Sequence, residues 1–329
     1  MSYAKESKMK QLRISNVAYH RIPKLSHSIL AQAKHSMLMA YVHSAFNPDL
    51  EEEKKSDSLA FGSLYHTLVD HPEIVAQCET YLSEFNKLTE KYLMAKAAKK
   101  AAEQPVVSIE TIDGAIHIAE FGLSRKNKAY DAVADKYEGD GDIIVNPDEF
   151  EKACTMVKCL VSHPVYTSLH VDAEIIGNEM SLVGELDGID YKVRIDRLLK
   201  TSDGKYMCID WKTTKDVDVE NLRRMGQRMH YDLQDELYRR FVSEHYGVPM
   251  SDVSMVFLFQ SKEHPLIVYA LKFTSAHERR AQNEREMLAA DFMERLNRNI
   301  GLAGFVPVQT DIIEFAYYED ALTEYVPII

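Results

Sequence analysis

Two Asp-Gly pairs, Asp187-Gly188 and Asp203-Gly204, punctuate a stretch of alternating apolar and polar residues, and this feature limits the fold more closely than any other. Asp-Gly between alternating segments marks a hairpin, because the pair tolerates the positive φ values of a tight turn. Residues 173–183 read as one or two strands leading into the first turn. On the strand after it, Ile189, Tyr191, Val193 and Ile195 point one way, and Asp190, Lys192, Arg194 and Asp196 the other. After the second turn Met207, Ile209 and Trp211 share a face, and Tyr206, Cys208, Asp210 and Lys212 share its opposite. Pairing these strands across the second turn brings Asp196 and Asp210, fourteen positions apart, together.

The flanks read as helices. Ser26 or Ser28 caps one through about Tyr41, Leu59, Phe61, Leu64 and Leu68 repeat at helical spacing over 59–69, and 48–58 is a charged loop between them. A lysine-rich helix is expected over 86–103 and another over 109–136, closed by the GDGD turn at 139–142. Asn146, Pro147 and Glu149 supply a cap, a first-turn proline and a capping-box acid for a helix to about Ser162. Helices over 229–246 and 276–299 bracket strands at 253–260 and 266–273. The fold class is therefore α/β or α+β, with a helical part over 1–170 and a sheet-containing core over 171–329 that together form one integrated unit.

The net charge of −12, from 39 basic and 51 acidic residues, argues against a protein that coats nucleic acid with a general basic surface and leaves room for a local basic groove. The four cysteines form no CxxC pair, so reduced thiols without a zinc site are expected. No apolar run approaches the roughly 20 residues that span a bilayer, and the first sixteen residues lack the apolar stretch of a signal peptide, which points to the cytoplasm.

Two carboxylates on neighbouring strands, with the Trp211 carbonyl between Asp210 and Lys212, are hard ligands for Mg²⁺ or Mn²⁺, and a lysine beside them can hold an attacking water. Exposed Asp and Lys on strands also form plain salt bridges, and spacing alone leaves both readings open.

The segments VRIDRLL at 193–199 and CIDWKTTKD at 208–216 resemble the core of the PD-(D/E)XK nucleases, in which one strand ends in Asp and the next carries acid-x-Lys. LSHSIL at 25–30, LAFGSLYHTLVDHP at 59–72, the helix at 146–164 and YDLQDELYRR at 231–240 narrow the resemblance to the RecE-like, exonuclease VIII branch. The chain departs from the pattern in having Ile195 where Pro is usual, and Asp210 where Glu is common.

The resemblance implies a restriction-endonuclease-like core, a mixed central sheet flanked by helices. Asp196, Asp210 and the Trp211 carbonyl hold the metal, Lys212 orients the nucleophile, and His66 reaches the site from a helix outside the sheet. Gln234 and Tyr238 form the QxxxY motif, and Tyr231 falls on the same helix face. Glu179 or Glu185 supplies a further acid, with Glu179 favoured. For DNA contact the sequence offers Tyr231, Arg223, Arg224 and Arg228, with no acid between Asn221 and His230, and Lys96 and Lys99 from the lysine-rich helix. The implied activity is a Mg²⁺- or Mn²⁺-dependent exodeoxyribonuclease on linear duplex ends, 5′ to 3′. It leaves single strands for an annealing partner in phage-type recombination, and a ring-like homo-oligomer, a trimer or tetramer, goes with it. An endonuclease, a single-strand nuclease and an inactive DNA-binding module are the alternatives.

Overall fold

A computed structural model describes residues 9–50, 56–122, 125–137, 139, 141–216, 218–298 and 300–305. The chain opens with a short strand β1 (Lys10–Leu12) and helices α1 (Asn16–His20), α2 (His27–His35) and α3 (Met37–Val42). One helix was expected over 26–41. It breaks at Ser36, whose extended backbone (φ −162°) ends α2 and whose Oγ accepts the Met39 N–H at 3.3 Å to start α3. Then come α4 (Asp57–Asp70), α5 (Pro72–Ala76) and the lysine-rich α6, which occupies Cys78–Ala97 rather than 86–103. Part of the charged loop, 51–55, lies outside the described residues.

The stretch expected as a helix over 109–136 is instead a hairpin and a short helix. Strands β2 (Val106–Thr111) and β3 (Gly114–Ala119) pair antiparallel, and α7 (Lys128–Tyr137) follows. The physical reason was present in the sequence. Val107, Ile109, Ile116 and Ile118 alternate with polar or small neighbours, and Gly114 takes φ 142° right after the turn, which no helix tolerates. Parallel to β3 runs β4 (Ile143–Val145), completing a three-stranded sheet. In the GDGD segment Asp140 lies outside the described residues, while the Asp142 carboxylate accepts the N–H groups of Gly139 (2.9 Å) and Ala115 (2.7 Å). Helix α8 (Pro147–Val161) starts with the expected capping box of Asn146 and Glu149, and a short α9 (Pro164–His170) follows.

The principal sheet has the order β1, β5 (Ala173–Leu186), β6 (Ile189–Thr201), β7 (Tyr206–Thr214), β8 (Val253–Ser261) and β9 (Val268–Leu271). Both Asp-Gly turns join antiparallel neighbours. Strands β7 and β8 run parallel, and the crossover between them consists of α10 (Val219–Arg228) and α11 (Tyr231–Tyr246). The sequence reading lacked α9 and α10. Helix α12 (Glu278–Asn297) ends the described fold apart from a last short turn.

Period two places a core on each face of the sheet. Cys208, Phe257 and Phe259 join residues of α2, α11 and α12 on one face. Ile209, Trp211, Val256 and Leu258 join α4, α5 and α8 on the other. The charged edge of β6 is buried as well, because the segment before α2 crosses it. Lys192 Nζ donates to the carbonyls of Tyr19, His20 and Ile22 at 2.8–3.0 Å, and burial holds its pKa down at about 8. Helix α12 is fastened by Arg285, fully buried, which donates to Glu236 Oε2 of α11 at 2.8 Å and to the Tyr191 hydroxyl of β6 at 3.2 Å.

Candidate active site

The ladder between β6 and β7 runs from Lys200 opposite Tyr206 to Arg197 opposite Ile209. At the next step the carboxylate of Asp196, not its backbone, meets β7, and Oδ2 accepts the Trp211 N–H at 2.8 Å. The strands part here, and the gap holds acidic side chains. The Trp211 carbonyl accepts the Nε2–H of His66, at 2.9 Å, from α4. The other ring nitrogen, Nδ1, stands 3.5 Å from Asp196 and 3.8 Å from Glu179.

Asp210 faces the other side of this gap. Gln234 of α11 donates Nε2–H to Oδ1, and the Lys212 ammonium pairs with Oδ2, each at 2.5 Å. Lys212 also stands 5.0 Å over the Tyr231 ring, which stacks on Phe257. The i, i+3, i+7 spacing of Tyr231, Gln234 and Tyr238 explains how one helix reaches the site. Tyr238 packs against the core below it, and burial, with Asp196 and Asp210 nearby, pushes its hydroxyl well above the ordinary range.

Glu179 sits in the left-handed region, φ 47°, in a strand that slips register between Ile175 and Gly177. That backbone costs a non-glycine residue about 1–2 kcal/mol, and the distortion places the side chain in the gap. There Arg194 Nε donates to Glu179 Oε2 at 2.6 Å. Glu185 lies farther along β5, opposite Asp190, and does not reach the site.

The electrostatics follow from crowding. Burial pushes Asp196 up to about 7, with Asp210 and Glu179 adding to the rise and His66 opposing it. Burial alone lowers an imidazole, but Asp196 and Glu179 outweigh it and hold His66 at about 9. Lys212 is raised although burial works against it, because Asp210, Tyr231 and Asp196 face it. Asp196 and Glu179, with Asp210 close enough to raise the Asp196 pKa, form an acidic set that suits a divalent cation. The ligand atoms of His66, Glu179 and Asp196 lie within 4.8 Å of one another, and Gln234 Oε1 is buried there without a hydrogen-bond partner.

Not every expected contact gathers at this point. Tyr231 was expected to touch DNA; it is only 8% exposed and its ring is taken by Lys212 and Phe257, so it supports the lysine instead. Arg223 and Arg224 are exposed on α10 but lean toward Glu220, at 3.4 and 3.9 Å. Arg228 is exposed at the end of the same helix. Lys96 and Lys99 are exposed at and beyond the end of α6, a helix that packs on α5, α8 and β2 rather than on β6 or β7.

Three residues of the site escaped the sequence reading. Arg197, beside Asp196, stacks 5.2 Å from the Trp211 ring and donates to Asp70 (2.8 Å) and to Tyr166 Oη (2.9 Å), fixing both strands at the gap. Arg194 is the partner of Glu179. His27, inside LSHSIL, bonds the His230 carbonyl at 3.0 Å in the neighbourhood of Lys212 and Asp210. An arginine flanking the strand-ending Asp was the available signal for the first two.

Residues 6–299 match a family described as "PDDEXK-like domain of unknown function" (DUF3799). No curated protein sequence matches the chain significantly. The crystal structure of a "Putative exonuclease" from Eubacterium rectale aligns with 96% of this chain and 100% of that one, at a TM-score of 0.50 and 11% identity, a likeness of fold alone. Protein VC1899 from Vibrio cholerae aligns over 82% of this chain and 62% of that one at 11% identity, and its TM-score of 0.19 carries no argument. Among the described residues no helix is long and apolar enough to cross a membrane.

Proposed function

Because the chain belongs to the PDDEXK-like family DUF3799, we propose that it is a divalent-metal-dependent exodeoxyribonuclease that degrades linear duplex DNA from its ends. The observation that carries this reading is the gap between β6 and β7, where Asp196 and the Trp211 carbonyl meet His66 and Glu179, with the Asp210–Lys212 pair close enough to act on Asp196. Asp196, Asp210 and the Trp211 carbonyl would hold Mg²⁺ or Mn²⁺, and the bound ion would supply Lewis-acid polarisation of the scissile phosphate. Lys212 stays an ammonium at neutral pH, so its part is to donate hydrogen bonds that hold and aim the attacking water, not to remove its proton. His66 fixes the Trp211 carbonyl, and Gln234 fixes the Asp210 carboxylate, so both ligand groups keep their orientation.

The finer reading rests on the RecE-like resemblance of 25–30, 59–72, 193–216 and 231–240. It comprises 5′ to 3′ polarity, release of single strands to an annealing partner in phage-type recombination and a ring-like homo-oligomer. The test uses the same duplex as a linear fragment and as a covalently closed circle, with Mg²⁺, Mn²⁺ or EDTA. Consumption of the linear form alone, and only with metal, is expected. Cutting of the closed circle, or digestion in EDTA, contradicts the proposal.

A further inference from the structure

Where β7 and β8 end, Lys262 meets the start of α4, with Lys215 and Lys152 near enough to act on its charge. Thr214 closes β7, and its carbonyl accepts the Lys262 N–H at 2.6 Å, so Lys262 lies beside the strand end from which Lys215 departs. Lys262 Nζ donates to Ser58 Oγ at 3.2 Å in the first turn of α4 and stands 5.6 Å over the Phe61 ring. Lys152, on α8, reaches the neighbouring residue Glu263 at 3.3 Å. Burial, Lys215 and Lys152 together hold the Lys262 ammonium below the usual lysine range, with Glu263 acting in the opposite sense.

This arrangement works against itself. A helix N-terminus carries partial positive charge and disfavours cations. The acid in that first turn, Asp57, is already engaged by Arg125 at 3.2 Å. The Lys262 ammonium therefore sits at a positive helix end with Lys215 and Lys152 adding positive charge around it and Glu263 as the carboxylate beside it, and an anion placed there relieves the repulsion.

The position relative to the candidate active site is set by two elements. Ser58 and His66 lie on the same helix eight residues apart, about 12 Å by helix rise. Just past the end of β8, Lys262 lies three residues beyond Phe259, the partner of Lys212, which is roughly 10 Å by strand rise.

We propose that Lys262 and Lys215, with Ser58, form a binding site for a backbone phosphate of the nucleic-acid substrate, roughly 10–12 Å from the candidate active site. The inference rests on the nuclease reading given above. Arginines of α10 and lysines of α6 attract attention in the sequence, whereas this cluster comes from three separate segments and is assembled only by the fold.

The test is binding of a blunt duplex oligonucleotide, in Ca²⁺, by fluorescence anisotropy over a series of KCl concentrations. It compares the wild-type protein with Lys215→Glu/Lys262→Glu and with Lys262→Gln, a milder change that guards against misfolding, each checked by thermal melting. The double reversal should weaken binding about tenfold or more and lower the slope of log affinity against log salt by roughly one to two. The single neutralisation should lower that slope by about one. Unchanged affinity and slope in both variants, while the wild-type protein binds and cleaves the duplex, overturn this site and leave the nuclease reading standing. A wild-type protein that neither binds nor cleaves duplex DNA overturns both.

Discussion

At Asp210 one carboxylate oxygen takes the Gln234 amide and the other the Lys212 ammonium, while Asp196 takes the Trp211 N–H, so each acid is aimed before any ligand arrives. His66 is the residue on which this geometry makes a sharp demand. Its bond to the Trp211 carbonyl orients a ligand group, and loss of such a support costs about 10–100-fold in activity. His66→Ala should therefore slow DNA cleavage by that factor with little change in melting temperature. A variant that melts several degrees lower yet cleaves normally shows a packing role instead. The carboxylates make a second demand, on pH. Asp196 binds its proton up to about pH 7, and His66 keeps its positive charge up to about 9. Each proton competes with a cation, so apparent affinity for Mg²⁺ should tighten as pH rises from about 6 to 9. Isothermal titration calorimetry across that range checks it, and affinity that is flat or falls with pH contradicts it. Asp196, Asp210 and Lys212 could be read from the sequence because strand parity and turn spacing are local. The Glu179 contact with Arg194 could not, since it depends on a left-handed residue and a register slip that a regular alternation does not announce.

At the scale of elements, the site depends on helices held against both faces of the sheet. Helix α12 is held to α11 through the fully buried Arg285–Glu236 pair, and Arg285→Met leaves the Glu236 carboxylate buried, with Arg240 at 2.7 Å as its remaining cation. Breaking a buried pair from one side costs about 3–5 kcal/mol. Chemical denaturation should show a loss near that size, and adding Glu236→Gln should recover part of it; a loss within about 0.5 kcal/mol shows that the pair holds nothing. Helix α4 was legible from its apolar spacing over 59–69, and it forms as Asp57–Asp70, starting two residues inside the stretch expected as a loop, where Ser56 caps it. The β2–β3 hairpin was missed although its signal was there: Asp113-Gly114 stands between the alternating Val107, Ile109, Ile116 and Ile118, and the polar residues farther along 120–136 drew the reading to one long helix. Helix α10 was hidden for another reason. Its exposed face is so polar that only Leu222 and Gly226 are buried along it, and its start is marked by the Asp218 cap, which accepts the N–H groups of Glu220 and Asn221.

Across the whole molecule, a net charge of −12 coexists with local positive clusters on α10 and at the ends of β7 and β8. Phosphate contacts release counterions, so DNA affinity should fall steeply with salt despite the acidic balance. Reversing Arg223 and Arg224 together to Glu, measured as binding in Ca²⁺, should weaken all duplex sequences alike and flatten the salt slope. Since both arginines already lean on Glu220, an unchanged slope marks them as a solvated face. The central claim concerns the gap between β6 and β7, and one measurement reaches it directly. Linear duplex DNA, labelled separately at each 5′ and 3′ end, is mixed with excess protein and Mg²⁺ and followed over time for the wild-type chain and for Asp210→Asn, with melting temperatures matched. The account predicts stepwise loss of the 5′-terminal strands by the wild-type protein, and a rate at least about a thousandfold lower, some 4 kcal/mol in barrier, for the folded variant. Cleavage by folded Asp210→Asn at close to the wild-type rate contradicts it.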